Sequence, residues 1–125
     1  MKTRDSAVRA KRFEADEKSR KAADLELMIR DFETMSIDLD RQIAAEEERT
    51  GVRDSNHFAY STFAKAAAQR RDNIQTTLVD LRAKFELARG EHESALAELK
   101  RVEAADARDH DRPRRKNERN GAHLA

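Results

Sequence analysis

The chain has 125 residues, 41% of them charged and 38% apolar, with no Cys, no Trp, one Pro and a formal net charge of +1. A disulfide framework and a thiolate metal site are excluded, and Leu, Ile, Val and Phe, 22 residues together, are too few for a deep globular core. Ala, Glu, Lys, Leu and Arg supply 69 of the 125 residues, and the two signs of charge nearly balance, which points to long salt-bridged helices rather than to a disordered tail of one sign.

The first segment, Met1-Lys2-Thr3-Arg4-Asp5, is not followed by an apolar run, and no window approaches the roughly 18 consecutive apolar residues of a membrane-spanning helix. The expectation is a soluble cytoplasmic protein. From Val8 a heptad places Val8, Ala15, Ala22, Ile29, Ser36 and Ile43 at one seam position and Lys11, Lys18, Leu25, Phe32, Leu39 and Glu46 at the other. The stretch 22–43 obeys it best, while Lys11 and Lys18 weaken the seam toward the N-terminus. This defines a first helical arm over about 5–49.

Residues 50–57 hold the densest run of turn formers. Gly51 suits the left-handed position that closes a helix, and Asp54, Ser55 or Asn56 are candidates to cap the next one. A second stripe follows at Tyr60, Ala64, Ala67, Arg71, Ile74, Leu78, Leu81, Phe85, Ala88, His92, Ala95, Leu99 and Val102, giving a second arm over about 58–108 in which Gly90 permits a bend. Beyond it the apolar pattern stops and Pro113 cannot sit in a helix interior, so 109–125 reads as a disordered, polar flexible tail.

The expected fold is therefore all-α: two long helices in an antiparallel coiled-coil hairpin over 1–108, with that tail appended. A short connection favours antiparallel neighbours. Folding about residues 53–54 sets Val8 opposite Leu99, Ala15 opposite His92, Ala22 opposite Phe85, Ile29 opposite Leu78, Ser36 opposite Arg71 and Ile43 opposite Ala64. Periodicity alone leaves a hairpin and a swapped dimer both open.

Catalytic patterns are absent: there is no phosphate loop, no nucleophile elbow and no His-Glu-x-x-His, and the expectation is a non-enzyme without cofactor. His57, His92, His110 and His123 are scattered, and Asp109-His110-Asp111 is a weak metal cluster, so no metal is expected. The tail run Arg112-Pro113-Arg114-Arg115-Lys116-Asn117-Glu118-Arg119 is basic but lacks interleaved aromatics, so no nucleic-acid partner is expected. Residues 1–21 carry a balance of +4 and residues 22–49 one of −6, a dipolar arm that suits electrostatic docking or is plain charge scatter. Phe58, Tyr60 and Phe63 crowd the start of the second arm. If Tyr60 takes the seam, Phe58 and Phe63 either cap the hairpin or stand exposed for a partner. Met28 and Met35 read as the edge of the core.

Several blocks carry a family resemblance: Lys11-Arg12-Phe13 followed by Asp16-Glu17-Lys18; Asp31-Phe32-Glu33 with Met35; Asp38 through Glu47; and His57-Phe58-Ala59-Tyr60 with Ala66 through Asn73. Over about 1–108 the chain resembles the FliJ-like flagellar export proteins of the alphaproteobacterial kind, a family similar in fold to the coiled-coil stalk subunit of rotary ATPases. The resemblance implies an accessory of the flagellar type III export apparatus that handles export chaperones, binds the hexameric export ATPase and contacts the cytoplasmic domain of the export gate. It would sit at the flagellar base, peripheral to the inner membrane through its partners alone. Carried onto this sequence, it implies Arg9, Lys11, Arg12 and Phe13 for the ATPase, and Asp38, Arg41, Gln42, Phe58, Arg70, Asp72 and Asn73 for the gate. A generic homo-oligomeric coiled-coil scaffold is the competing reading, with a nucleic-acid adaptor using the basic tail behind it.

Overall fold

The computed structural model describes the backbone of residues 2–124 and the side chains of residues 5–109. Two helices account for nearly all of it: α1, Lys2–Thr50, and α2, Thr62–Leu124, joined by the loop 51–61. They pack against each other as an all-α helical hairpin, with no strand among the described residues. The helices are longer than the expected arms, and the connection is displaced. Phe58 through Ser61 belong to the loop, not to the second arm. The helix assignment of α2 runs on through the expected tail, whose side chains from residue 110 onward lie outside those described.

Each helix is a good helix locally. Ala and long straight side chains lose little freedom on coiling, and acids and bases three or four residues apart meet on the surface, as in Glu26–Arg30 (2.5 Å), Asp80–Lys84 (3.1 Å) and Arg89–Glu93 (3.2 Å). Exposed pairs of this kind contribute about 0.3–0.5 kcal/mol each, so they support the helices without holding them together. What holds them is the seam.

Packing divides the chain into two units, Ala23–Glu86 and Met1–Ala22 with Leu87–Ala125. In the first, Ile29, Leu78 and Leu81 form one buried cluster, with Leu25, Phe32, Ile74 and Phe85 against it, and Leu39, Ile43 and Ala67 form a second. Ile29 and Leu78 thus meet as the expected register requires. The same register sets Ser36 opposite Arg71, and Ser36 is buried, lining a shallow notch of about 350 Å³ with Gln75, Leu78, Val79, Arg82, Glu33 and Ile37. Arg71 instead carries its guanidinium to the flank of the seam, 3.0 Å from Asp40 and 3.1 Å from Asp72. A long cationic side chain at a seam position buries its stem and takes its charge to water and a carboxylate, which costs less than burial beside a hydroxyl.

The second unit is built differently. Its buried apolar residues are all alanines, Ala15, Ala88 and Ala95. Cross-helix ion pairs run beside them: Arg12–Glu103 at 3.3 Å and Lys18–Glu91 at 3.0 Å. Lys18, the expected weak point of the seam, lays its half-buried stem along the interface and pairs at the rim. The larger buried side chains, Ile29, Leu39, Ile43, Leu78 and Leu81, all lie in Ala23–Glu86. Since burying such a group is worth about 1.5–3 kcal/mol, that unit carries most of the hydrophobic stabilisation.

Gly90 is exposed within α2, and a methyl group built there meets nothing within 4 Å. Its helix runs through without a break. Gly90→Ala should therefore stabilise the protein by about 1 kcal/mol, read as a raised melting temperature with unchanged helicity. A fall would mean that α2 needs a glycine's freedom there.

Candidate functional site

The loop 51–61 is the most densely bonded non-helical part of the molecule, and its construction begins at the end of α1. Gly51 takes φ = 75°, the left-handed conformation expected of a closing glycine, and its N–H donates to the Glu47 carbonyl at 2.8 Å. The Val52 N–H then donates to Thr50 Oγ1 at 3.2 Å.

The next turn is organised by Asp54 and His57. Asp54 Oδ1 accepts from the Asn56 N–H at 2.9 Å, and its carbonyl accepts from the His57 N–H at 3.0 Å, an Asx turn. His57 Nδ1 accepts from the Ala59 N–H at 3.0 Å, and the His57 carbonyl accepts from the Tyr60 N–H at 3.0 Å. With Nδ1 accepting, the neutral ring carries its proton on Nε2, facing outward from this network. Asp54 is thus spent on the turn. The cap of α2 is Ser61, whose Oγ accepts from the Ala64 N–H at 3.2 Å, and this corrects the expectation of a cap at Asp54, Ser55 or Asn56. The tight Asp54–Tyr60 turn uses up those residues before a helix can start.

Two side-chain bonds tie the loop back to α1. Tyr60 Oη donates to Glu47 Oε2 at 2.8 Å, and Ser61 Oγ donates to Glu46 Oε1 at 2.9 Å, while Arg49 Nη2 reaches the same Glu46 oxygen at 2.5 Å. Acids in the last turn of a helix oppose its dipole, and these donors offset that cost. Hydrogen bonding from Arg49, then from Ser61, holds the Glu46 carboxyl below its ordinary range, whereas the bond to Glu47 and partial burial push the Tyr60 phenol up.

The signs give a pH window. Glu46 is lowered in the folded chain, so its contribution is present above the ordinary carboxylate pKa and is lost as pH falls through the folded value; Tyr60 is raised, so its contribution is present below the ordinary phenol pKa and is lost as pH rises through the folded value. Thermal stability followed across pH should decline on both sides. The alkaline decline should shrink in Tyr60→Phe.

The three aromatics part company in this loop. Tyr60 is half-buried against α1, Phe63 in the first turn of α2 is about half exposed, and Phe58 is 96% exposed, its ring stacked on His57 at 4.6 Å between centroids. Phe58 therefore does not cap the hairpin. Tyr60 does that work.

The other residues implied for a gate contact do not form one patch. Asp38, Arg41 and Gln42 are exposed on one flank of α1, with Asp38 and Arg41 3.9 Å apart. Asp72 belongs to the opposite flank, where it holds Arg71 beside Asp40. Arg70 and Asn73 are exposed on α2, and Arg70 has no ion-pair partner among the described residues. The triad of Asp40, Arg71 and Asp72 is not legible in the heptad pattern, because Arg71 occupies a seam position and only its long side chain carries the charge to the flank. The spacing of acids at 33, 40 and 47 was the available signal.

The residues implied for the ATPase are split in the same way. Arg12 is tied to Glu103 and Lys11 to Glu14 at 3.5 Å, while Arg9 is exposed and Phe13 is 63% exposed. Asp109-His110-Asp111, apart from Asp109, and the basic run 112–119 lie outside the residues whose side chains are described. Among the described residues, no helix is long and apolar enough to cross a membrane. Neither family models, nor curated proteins, nor solved structures match this chain.

Proposed function

We propose that the protein is a soluble, non-enzymatic docking component of the flagellar type III export apparatus, cytoplasmic and held at the inner membrane by its partners. In this reading it binds the export gate through its loop end and the export ATPase through the start of α1, and it handles export chaperones. The observation that carries the docking role is Phe58: a fully presented aromatic ring in a loop where the backbone N–H groups of Gly51, Val52, Asn56, His57, Ala59 and Tyr60 are all bonded. Leaving such a ring in water gains nothing for folding, and holding it rigid lowers the entropy lost on binding. The assignment to the export apparatus rests on the sequence resemblance, whose strongest blocks flank this loop.

Within this proposal the exposed residues that carry no ion pair among the described residues are the favoured contacts. At the ATPase end these are Arg9 and Phe13, since Arg12 and Lys11 already have partners. At the gate end, Phe58 leads, with Arg70 and Asn73 on α2 and Asp38, Arg41 and Gln42 on α1 as separate contacts.

The test is calorimetric binding of the full chain to the export ATPase and to the gate cytoplasmic domain of the same bacterium. Both should bind. Arg9→Glu combined with Phe13→Ala should lose the ATPase and keep the gate. Binding to neither partner by a folded chain overturns the proposal and leaves a generic coiled-coil scaffold.

A further inference from the structure

Apart from Glu46, the acids of α1 between residues 24 and 47 fall into two heptad rows, and the structure treats them differently. On one flank of the seam every acid is answered: Glu26 by Arg30, Glu33 by Arg82 at 3.3 Å, Asp40 by Arg71 and Glu47 by Tyr60. On the other flank run Asp24, Asp31 and Asp38, also seven residues apart and all exposed. Asp24 and Asp31 have no ion-pair or hydrogen-bond partner among the described residues, and Asp38 has only Arg41 at 3.9 Å.

Interleaved with this second row are large apolar groups left in water. Leu27 is 58% exposed, Met28 45% and Met35 49%. At 100° per residue, Asp24, Leu27, Met28, Asp31, Met35 and Asp38 share one stripe about 100° wide, the width a helix normally buries against a neighbour. Methionine suits such a face because its flexible thioether adapts to the partner that covers it.

We propose that this outer face of α1, residues 24–38, is a docking surface for a basic amphipathic helix of another protein. The partner's apolar stripe would cover Leu27, Met28 and Met35, and its Lys or Arg residues would pair with Asp24, Asp31 and Asp38. The chain's own basic segment is a poor occupant. Lys11, Arg12, Lys18 and Lys21 are already paired to Glu14, Glu103 and Glu91. The proposal does not rest on the export assignment, because it needs neither the ATPase nor the gate, although Asp38 belongs to both surfaces.

The experiment titrates the full chain with two fluorescein-labelled synthetic helices of equal length and identical Leu heptads, one flanked by Lys and one by Glu, and follows anisotropy and amide NMR shifts. The Lys helix should bind at least tenfold more tightly than the Glu helix, shift amides of 24–38, and weaken as salt rises. Asp31→Lys and Met35→Gln should each weaken it at least fivefold. Ile37→Gln, on the other flank and 52% exposed, should leave it unchanged and serves as a fold-preserving control. Equal binding of both helices, equal loss in Ile37→Gln, or shifts confined elsewhere would overturn the proposal. So would self-association of the free chain that Met35→Gln abolishes, because a second copy would then be the occupant.

Discussion

Leu81→Asp is expected to unfold the hairpin. Leu81 is 5% exposed and packs in one cluster with Ile29 and Leu78 from both helices, with Phe85 and Ile74 alongside. Truncating such a residue costs about 2–5 kcal/mol, and an unpaired carboxylate in its place adds a desolvation penalty of several kcal/mol more. Few small domains have more than about 5–15 kcal/mol to lose. The second cluster, Leu39, Ile43 and Ala67, shares Ile74 with this one, and among the described residues the other unit buries only alanines. Circular dichroism should show loss of most helicity at 25 °C, with Ile29→Asp behaving alike. Val79→Asp, two residues away but 69% exposed, should change stability by less than about 0.5 kcal/mol. Intact helicity in Leu81→Asp would mean that the seam is not where the helices meet.

The second large effect falls on binding rather than on folding. Phe58→Ala should leave the melting temperature within a degree or two, because a ring 96% exposed contributes almost no burial. Affinity for the gate domain should fall by about 30-fold or more, the loss typical of a central aromatic contact. Tyr60→Phe should do the reverse. It removes the bond to Glu47 and should cost about 1 kcal/mol of stability, while binding changes little. If the two variants exchanged phenotypes, Phe58 would be the structural residue and the docking proposal would lose its footing.

The contrast between these two aromatics shows what patterning alone can resolve. Two positions apart in the chain, Phe58 and Tyr60 have similar bulk and are both credible as a cap or as a contact. What separates them is a phenolic hydroxyl that finds Glu47 and a turn built by Asp54 and His57 that rotates Phe58 outward. Neither follows from heptad periodicity, since the first joins residues 13 apart and the second lies in a loop. The start of α2 is decided in the same way: Asp54, Ser55 and Asn56 are all good caps by residue type, and the tight turn leaves Ser61 to act.

The seam itself was legible, because helix periodicity is set by the backbone and needs no knowledge of the partner. Apolar residues three and four apart on two arms joined by a short, glycine-containing connection determine two long helices with matching seams, and the glycine that closes α1 is where a left-handed residue is required. Tertiary structure decided where the charges go. Arg71 and Lys18 sit at seam positions by sequence, yet long flexible side chains reach past the interface to Asp40 and Glu91, so a heptad assignment gives the position of their Cα and not of their charge. The same holds for the acids of α1, identical in spacing on both flanks, of which one row is consumed by Arg30 of α1, by α2 and by the loop, and the other is left facing water. Periodicity determines the face on which a residue begins; only the packed partner determines whether its charge is spent or remains available for binding.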